Sequence, residues 1–489
     1  MTSPWAGRPL WPLQAVVGVL IAFRLYVDFT MPPIGDEAYY WLWGQRPALS
    51  YFDHPPLHAW LLWGVEKLFG WNLLSLRILT WVTLGATLAI VWDWSKRLAP
   101  AEPHNWFWPA TAIYLASPLF LAMTTISFHD HLLIALCLGS GHCFILFAER
   151  YEGGRRSLKL LYGGAVLLGL ATLTKYNAVL FGIGIGFMFL VRPKLRAMLA
   201  DVNLWAAAAL SMAMQAPVFI WNFAGGMASY RFHMVDRWGG GGISLQPMLF
   251  LGYVALTLIV VSPFLVGPII AFLRRPVPEG FGTVARTLAI CVFAAAGVAM
   301  SLMALFVEVY FYWNIVAFLL MLPLLVSVIG RRKAFWGHTI YGLVFGAGLA
   351  FHLTVIPITN LLGGYDWTIS SMQGWPEVAE AITELEAEHP GAFIAATRYT
   401  TAAQLGWAMQ RTDVTAIAAR TDQFDYWFDA EAHRGRSALV VADPMEGESY
   451  ATGRFETLTP LRRLEIVRFG RVVYTPIIFL GQNYRPPSP

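Results

Sequence analysis

What most restricts the fold of this chain is a series of apolar stretches, each about 20 residues long. A helix of that length crosses a hydrocarbon core of about 30 Å. The stretches run approximately over 10–30, 73–95, 106–124, 131–148, 160–174, 177–191, 204–221, 248–273, 285–306, 314–329 and 336–358. Only 13% of the 489 residues are charged and 57% are hydrophobic. Soluble domains carry roughly 25% charged residues, so a soluble enzyme of this size is excluded. The expected fold is a polytopic α-helical membrane protein with about eleven transmembrane helices.

The cations give the orientation. Lys96-Arg97, Arg150, Arg155-Arg156, Lys159, Arg192, Lys194, Arg196, Arg274-Arg275 and Arg331-Arg332-Lys333 all fall in alternate connections. The other connections hold few: Arg46, Lys67, Lys175, Arg231 and Arg237. Positive charge marks the cytoplasmic side, so the N-terminus is expected inside and the residues after 358 outside. Arg8 precedes the first apolar stretch without a small-residue cleavage site, which reads as a retained signal anchor. A net charge of +4 gives no reason to expect a nucleic-acid partner. Cys137, Cys143 and Cys291 lie in apolar stretches and read as small buried hydrophobes.

From about Tyr365 the composition changes. Trp375–Glu388 has the period of an amphipathic helix; Phe393–Ala396, Val414–Ala418 and Ala438–Ala442 read as strands. Another helix is expected near Thr400–Met409, and Arg463–Leu480 reads as one or two further strands. The division is therefore a membrane domain over 1–360 and a small α/β domain outside the membrane over 361–489. Gly239–Gly242, the low-complexity tract, sits in a connection.

The outer connections hold the chemistry. The first contains Gly35-Asp36-Glu37-Ala38-Tyr39-Tyr40-Trp41 and Tyr51-Phe52-Asp53-His54-Pro55-Pro56-Leu57-His58. Its aromatics suit helices lying at headgroup level. A carboxylate at the mouth of a helical bundle, Asp36 or its neighbour Glu37, is placed to act as a general base or merely to cap a helix. His54 and His58 are separated by two prolines, which prevents a regular helical ligand pair. The second outer connection ends in His129-Asp130-His131. Adjacent residues seldom converge on one ion without a third ligand, so no metal is assigned there, although a divalent metal is left open. Lys175, and Arg231 with His233, lie in later outer connections. A cation there either binds an anion or snorkels to the interface. Glu308 stands in an aromatic fifth connection, Val309–Trp313.

The Asp-Glu-Ala-Tyr-Tyr-Trp and Tyr-Phe-Asp-His-Pro-Pro segments of Gly35–Trp60 resemble bacterial polyprenyl-phosphate-sugar-dependent glycosyltransferases. These are GT-C superfamily enzymes, alongside protein O-mannosyltransferases and the lipid A aminoarabinose transferase. Gly169–Leu180, Pro217–Phe232 and Gly374–Val378 extend the resemblance along nearly the whole chain. It implies a bacterial inner-membrane enzyme with its active site on the periplasmic side. The donor would be a polyprenyl-phosphate-linked sugar, and the acceptor a glycan, lipid or protein. Asp36 matches the catalytic acidic position and Glu37 is its neighbour. His54, where relatives often have Asp-Lys-Pro or Asp-His-Pro, is implicated with Lys175 and Arg231 in holding the lipid phosphate. His58, Asp130 and His233 complete the candidate substrate-binding set. The chain departs from the family's Thr-Pro-Asp at Phe128-His129-Asp130 and from its His-Trp pair at Tyr312-Trp313. The rival reading is a transporter or flippase for a lipid-linked or anionic substrate. Such proteins usually show paired repeats and sites near the midplane, and no repeat is visible here.

Overall fold

The computed structural model describes all residues except 1–4, 6, 236–243, 276–279, 330–331 and 488–489. The Gly239–Gly242 tract, Arg237 and Arg331 lie outside the described residues.

Each of the eleven apolar stretches forms helix. Five helices are long and apolar enough to cross a membrane unaided: Trp11–Thr30, Leu73–Leu98, His129–Glu152, Phe281–Ala304 and Lys333–Thr354. Four further stretches are bent pairs: His104–Leu115 with Pro118–Thr125 (80°), Ala178–Val191 with Pro193–Ala200 (109°), Val202–Ala213 with Ala216–Ala224 (45°), and Pro247–Val261 with Pro263–Arg274 (86°). Proline opens the second half of each pair, as Pro118, Pro193, Pro217 and Pro263. Proline lacks the N–H that would continue the helix, and its ring clashes with the preceding turn. Leu158–Thr172 and Ile315–Ser327 are shorter apolar helices. Among the described residues, then, five to nine spans satisfy length and composition.

The chain divides into two compact units. The first comprises Met1–Leu25, His54–His58 and Arg77–Ala347. It is helical, and its most central long helix is His129–Glu152, which buries Leu133, Ile134, Cys137, Leu138, Phe144 and Phe147. Helices Ala178–Val191 and Phe281–Ala304 meet at Gly184, where any Cβ would stand 2.7 Å from the Val292 Cα. Only glycine permits that approach.

The second unit comprises Tyr26–Asp53, Ala59–Leu76 and Gly348–Pro489. Its strands are β1 (Phe393–Ala396), β2 (Thr415–Ala416), β3 (Ala438–Ala442), β4 (Thr457–Arg463), β5 (Ile466–Arg468), β6 (Arg471–Tyr474) and β7 (Ile477–Gln482). Five of them form one mixed sheet in the order β2-β1-β3-β7-β4. β1 runs parallel to β2 and β3, while β7 is antiparallel to β3 and β4. Phe393, Val440, Phe455, Phe479 and Tyr484 pack into its core. Helix Trp375–Glu388 contributes Trp375, Val378, Ala381, Ile382 and Leu385 as its buried stripe, the i, i+3, i+4 spacing of an amphipathic helix. Helix Tyr399–Met409 packs on helix Gly35–Gln45. The region read as one or two strands holds β5, β6, β7 and the end of β4, because a tight turn at Phe469-Gly470 joins β5 to β6 and a two-residue link at Thr475-Pro476 carries the chain from β6 to β7 in the larger sheet.

Candidate active site

In the second unit, Ile34 stands at the N-cap of helix Gly35–Gln45. An isoleucine has no side-chain acceptor for the free N–H groups of the first turn. Glu37 reaches back instead, its Oε2 accepting the Ile34 N–H at 3.0 Å. Acidic residues are favoured there because the first-turn amides carry partial positive charge. Glu37 is fully buried in this capping role. Adjacent helical positions diverge by about 100°, so Asp36 points elsewhere. Its Oδ1 accepts the Tyr399 hydroxyl proton at 3.0 Å. Gly35 makes this approach feasible: a Cβ on it would lie 2.6 Å from the Thr400 Cβ.

Burial pushes the Asp36 carboxyl above its usual range, and the charge of Asp53 adds to the rise. The Tyr399 hydrogen bond and the charges of Arg420 and Arg398 oppose it. The result is a carboxylate more basic than a surface aspartate, the adjustment a general base at neutral pH needs. Tyr399 is held far above the ordinary phenol range by burial and by the Asp36 charge, so it remains a donor.

Asp53 is fixed from two sides. The Tyr39 hydroxyl donates to its Oδ2 at 2.9 Å, and an Arg420 Nη2 donates to its Oδ1 at 2.5 Å. The Gln423 N–H donates to the Tyr39 oxygen at 2.7 Å, and Gln423 Oε1 accepts the Phe52 N–H at 2.8 Å. The Arg420 guanidinium lies 4.9 Å from the Tyr399 ring centroid, and the Tyr39 and Tyr399 rings are 4.8 Å apart. Asp36, Tyr399, Arg420, Asp53 and Tyr39 thus form one connected polar group.

A second group lies within the first unit. Lys175 is not an isolated cation. Its Nζ donates to both oxygens of Asp130, at 2.9 and 2.8 Å, with both side chains nearly inaccessible to solvent. It also lies 4.5 Å from the Tyr312 ring centroid. Beside this pair the imidazoles gather. The rings of His54 and His129 are 4.4 Å apart, and those of His58 and His129 4.8 Å. His58 Nε2 is 3.3 Å from His131 Nε2 and 3.5 Å from Ser127 Oγ; His131 Nδ1 is 3.0 Å from Thr83 Oγ1. Burial pushes His58 down to about 3, so it works as a neutral ring. The His233 ring is 6.2 Å from that of His54. Arg231 is exposed on helix Ala228–Met234. Among the described residues no group of three or more His, Cys, Asp or Glu side chains is arranged to hold a metal ion. Asp130 is turned to Lys175.

Sequence reading assigned no role to Tyr39, Asp53, Arg398, Tyr399 or Arg420, and none beyond metal capability to His129 and His131. Tyr399 is 363 residues from Asp36, so no local motif links them. A usable signal existed nonetheless. Arg398 and Arg420 follow the carboxyl ends of two expected strands, where open α/β sheets place their ligands.

The family model described as dolichyl-phosphate-mannose-protein mannosyltransferase matches residues 53–221. The lipid A galacturonosyltransferase RgtD of Rhizobium johnstonii is 30% identical over 215 residues. That match covers 43% of this chain and only 43% of the length of the relative. The crystal structure of ArnT from Cupriavidus metallidurans in the apo state superposes with a TM-score of 0.59 at 14% identity, covering 97% of this chain and 98% of ArnT. The same protein bound to undecaprenyl phosphate gives 0.58 at 12% identity, covering 96% and 98%. The mycobacterial arabinofuranosyltransferase AftD gives 0.52 at 14% identity, covering 98% of this chain and 40% of AftD. The fold is therefore shared with ArnT along nearly the whole chain. By length and composition, five helices, or up to nine with the bent pairs, can cross a membrane among the described residues. Over residues 53–221 the chain is thus similar to that mannosyltransferase family, and over nearly its whole length it has the fold of ArnT.

Proposed function

We propose that this protein transfers a sugar from a polyprenyl-phosphate donor to an acceptor outside the cytoplasm, with Asp36 as the general base. The observation that carries the reading is the Asp36 carboxylate: raised in basicity by burial, aimed by Tyr399, and pointing away from the capping contact that its helix neighbour Glu37 makes. Asp36 takes the proton of an acceptor hydroxyl. The acceptor oxygen attacks the anomeric carbon as the bond to the phosphate oxygen breaks, and the phosphate leaves with the electron pair. Attack opposite the leaving group inverts the anomeric centre. Where the acceptor is itself a phosphate, it arrives ionised, and Asp36 orients it.

The leaving phosphate requires cations. Arg231, exposed on its helix, and His54 are the candidates, with His233 alongside; His58, a neutral ring, offers only a hydrogen bond, and Lys175 is already held by Asp130. ArnT has been captured with undecaprenyl phosphate and RgtD is named for galacturonosyl transfer to lipid A. They support a polyprenyl carrier, a uronate sugar and a lipid A-type acceptor for this chain. Up to nine spans by composition, with Leu158–Thr172 and Ile315–Ser327 as two more, support eleven crossings, with the membrane domain over 1–360 and the outer domain over 361–489.

The test is transfer in liposomes from polyprenyl-phosphate galacturonate to lipid A, followed by mass spectrometry. A galacturonosyl lipid A product is expected. Movement of the donor across the bilayer without any glycoside formed contradicts the reading and favours a flippase.

A further inference from the structure

Two cation-rich connections of the first unit, 153–159 and 192–201, are stitched together. An Arg192 Nη2 pairs with Glu152 Oε2 at 2.5 Å, and Lys194 Nζ donates to the Glu152 carbonyl at 3.1 Å. An Arg156 Nη2 pairs with Asp201 Oδ2 at 2.5 Å. Both carboxylates are thereby used. Among the described residues, the exposed Arg155, Lys159, Lys194 and Arg196 meet no carboxylate within ion-pairing distance.

Helix Ala178–Val191 bends by 109° into Pro193–Ala200. That short segment buries Leu195 and Met198 and exposes Lys194 and Arg196, the two-faced pattern of a segment lying along a headgroup layer. Trp205 follows, 60% exposed, its Nε1 donating to the Leu199 carbonyl at 2.9 Å. An indole suits the same depth, its ring apolar and its edge polar.

Leu199 and Trp205 also wall a cavity of about 190 Å³, together with Ala165, Leu168, Gly186 and Phe189. Its lining is almost entirely apolar. A Cβ on Gly186 would meet nothing within 4 Å, so open space lies beside the helix backbone. Pockets that enclose a small molecule hold roughly 300–1,000 Å³. This smaller, apolar one suits a length of hydrocarbon chain and no polar headgroup. The basic rim and the hollow are continuous. Leu199 shares its short segment with Arg196, whose Nε donates at 2.7 Å to the carbonyl of Leu190, the neighbour of Phe189.

We infer that this face binds an anionic glycerophospholipid. Its phosphate lies on Lys194 and Arg196, Arg155 and Lys159 add positive charge, and one acyl chain enters the cavity. Charge complementarity selects the anionic headgroup, as in other basic pockets between membrane helices. The cavity selects a molecule with a chain over a free phosphate. The polyprenyl donor belongs elsewhere, because Lys175 and the imidazoles stand at the opposite end of helix Ala178–Val191. Given the orientation read from the cations, this lipid comes from the cytoplasmic leaflet, and its binding is independent of sugar transfer. A ligand that binds only the folded state stabilises it, so the lipid holds the bent connection in place.

The experiment uses full-length protein stripped of lipid in detergent. It is titrated with phosphatidylglycerol or phosphatidylcholine of identical acyl chains and read by native mass spectrometry. Wild type is expected to retain one phosphatidylglycerol in preference to phosphatidylcholine. Lys194→Gln combined with Arg196→Gln is expected to cut that preference by about 10-fold or more, as for two juxtamembrane cations. Gly186→Leu fills the cavity from an open position and is expected to weaken phosphatidylglycerol binding with every surface charge in place. Ala208→Leu, in the lining of the same cavity, serves if Gly186→Leu fails to fold. Equal retention of the two lipids by wild type overturns the site. So does wild-type phosphatidylglycerol binding in the charge variant, which removes the headgroup contact, or in the cavity-filled variant, which leaves adsorption to the basic surface alone.

Discussion

The Lys175 ammonium sits 2.9 and 2.8 Å from the two carboxylate oxygens of Asp130, out of reach of solvent. Removing one member of such a pair leaves a buried charge uncompensated, which costs about 3–5 kcal/mol. Lys175→Ala is therefore expected to lower thermal stability in detergent markedly. Lys175→Met combined with Asp130→Leu is expected to cost less than the sum of the single changes. Additive effects would show that the pair is not coupled.

Arg231 should behave oppositely, since it is exposed on a short helix. Arg231→Ala is expected to leave thermal stability near wild type while raising KM for the lipid donor by about 10–100-fold, the loss of one charged phosphate hydrogen bond. A KM equal to wild type would reduce Arg231 to a snorkelling cation.

The Asp36–Tyr399 bond predicts a pH effect. That hydrogen bond favours the ionised carboxylate and holds Asp36 down against burial. Tyr399→Phe removes it, so Asp36 ionises at higher pH. The acidic limb of the pH profile of kcat/KM, which reports the free enzyme's base, should move to higher pH. A limb that stays put, or moves lower, contradicts the assignment.

Reporter fusions at Lys333 and Gln410 test the orientation read from the cation asymmetry. Cytoplasmic signal is expected at Lys333 and periplasmic signal at Gln410. Cytoplasmic signal at both would invert the outer face and the site with it.

The membrane helices were legible in the sequence because a length of about 20 apolar residues is a requirement of the bilayer itself. The stretch at 131–148 appears as His129–Glu152, and that at 285–306 as Phe281–Ala304, which starts four residues earlier. Helix Trp375–Glu388 was legible to the residue, because its apolar stripe and its polar face coexist in one period. The sharp bends at Pro118 and Pro263 were not, since a proline marks where a helix breaks but not the angle. Of the candidate site, Asp36 stood out as an acidic residue just beyond an apolar stretch. Its partners did not. Tyr399 and Arg420 reach it only through the packing of helix Tyr399–Met409 and the pairing of β1 with β2, and neither is written in local spacing. Lys175 illustrates the converse: it read as a lone cation because Asp130 is 45 residues away.

The central claim is that Asp36 is the base, and Asp36→Asn tests it most directly. Asparagine keeps the shape and still accepts the Tyr399 hydrogen bond but takes no proton. Stability should not fall. The unfolded carboxyl ionises near 3.9 and the folded one above that. Between those values the folded state binds more protons, so stability declines as pH rises through the window and stays lower above it. Asparagine removes that penalty, and the variant is expected to melt at or above the wild-type temperature at pH 7. Donor binding should persist, while the rate of sugar transfer in liposomes falls by about 10²–10⁴-fold, the usual loss with a general base. Glu37→Gln, altering a capping contact, should retain far more activity. A folded Asp36→Asn protein that binds the donor and transfers sugar to a hydroxyl acceptor at the wild-type rate would contradict the account.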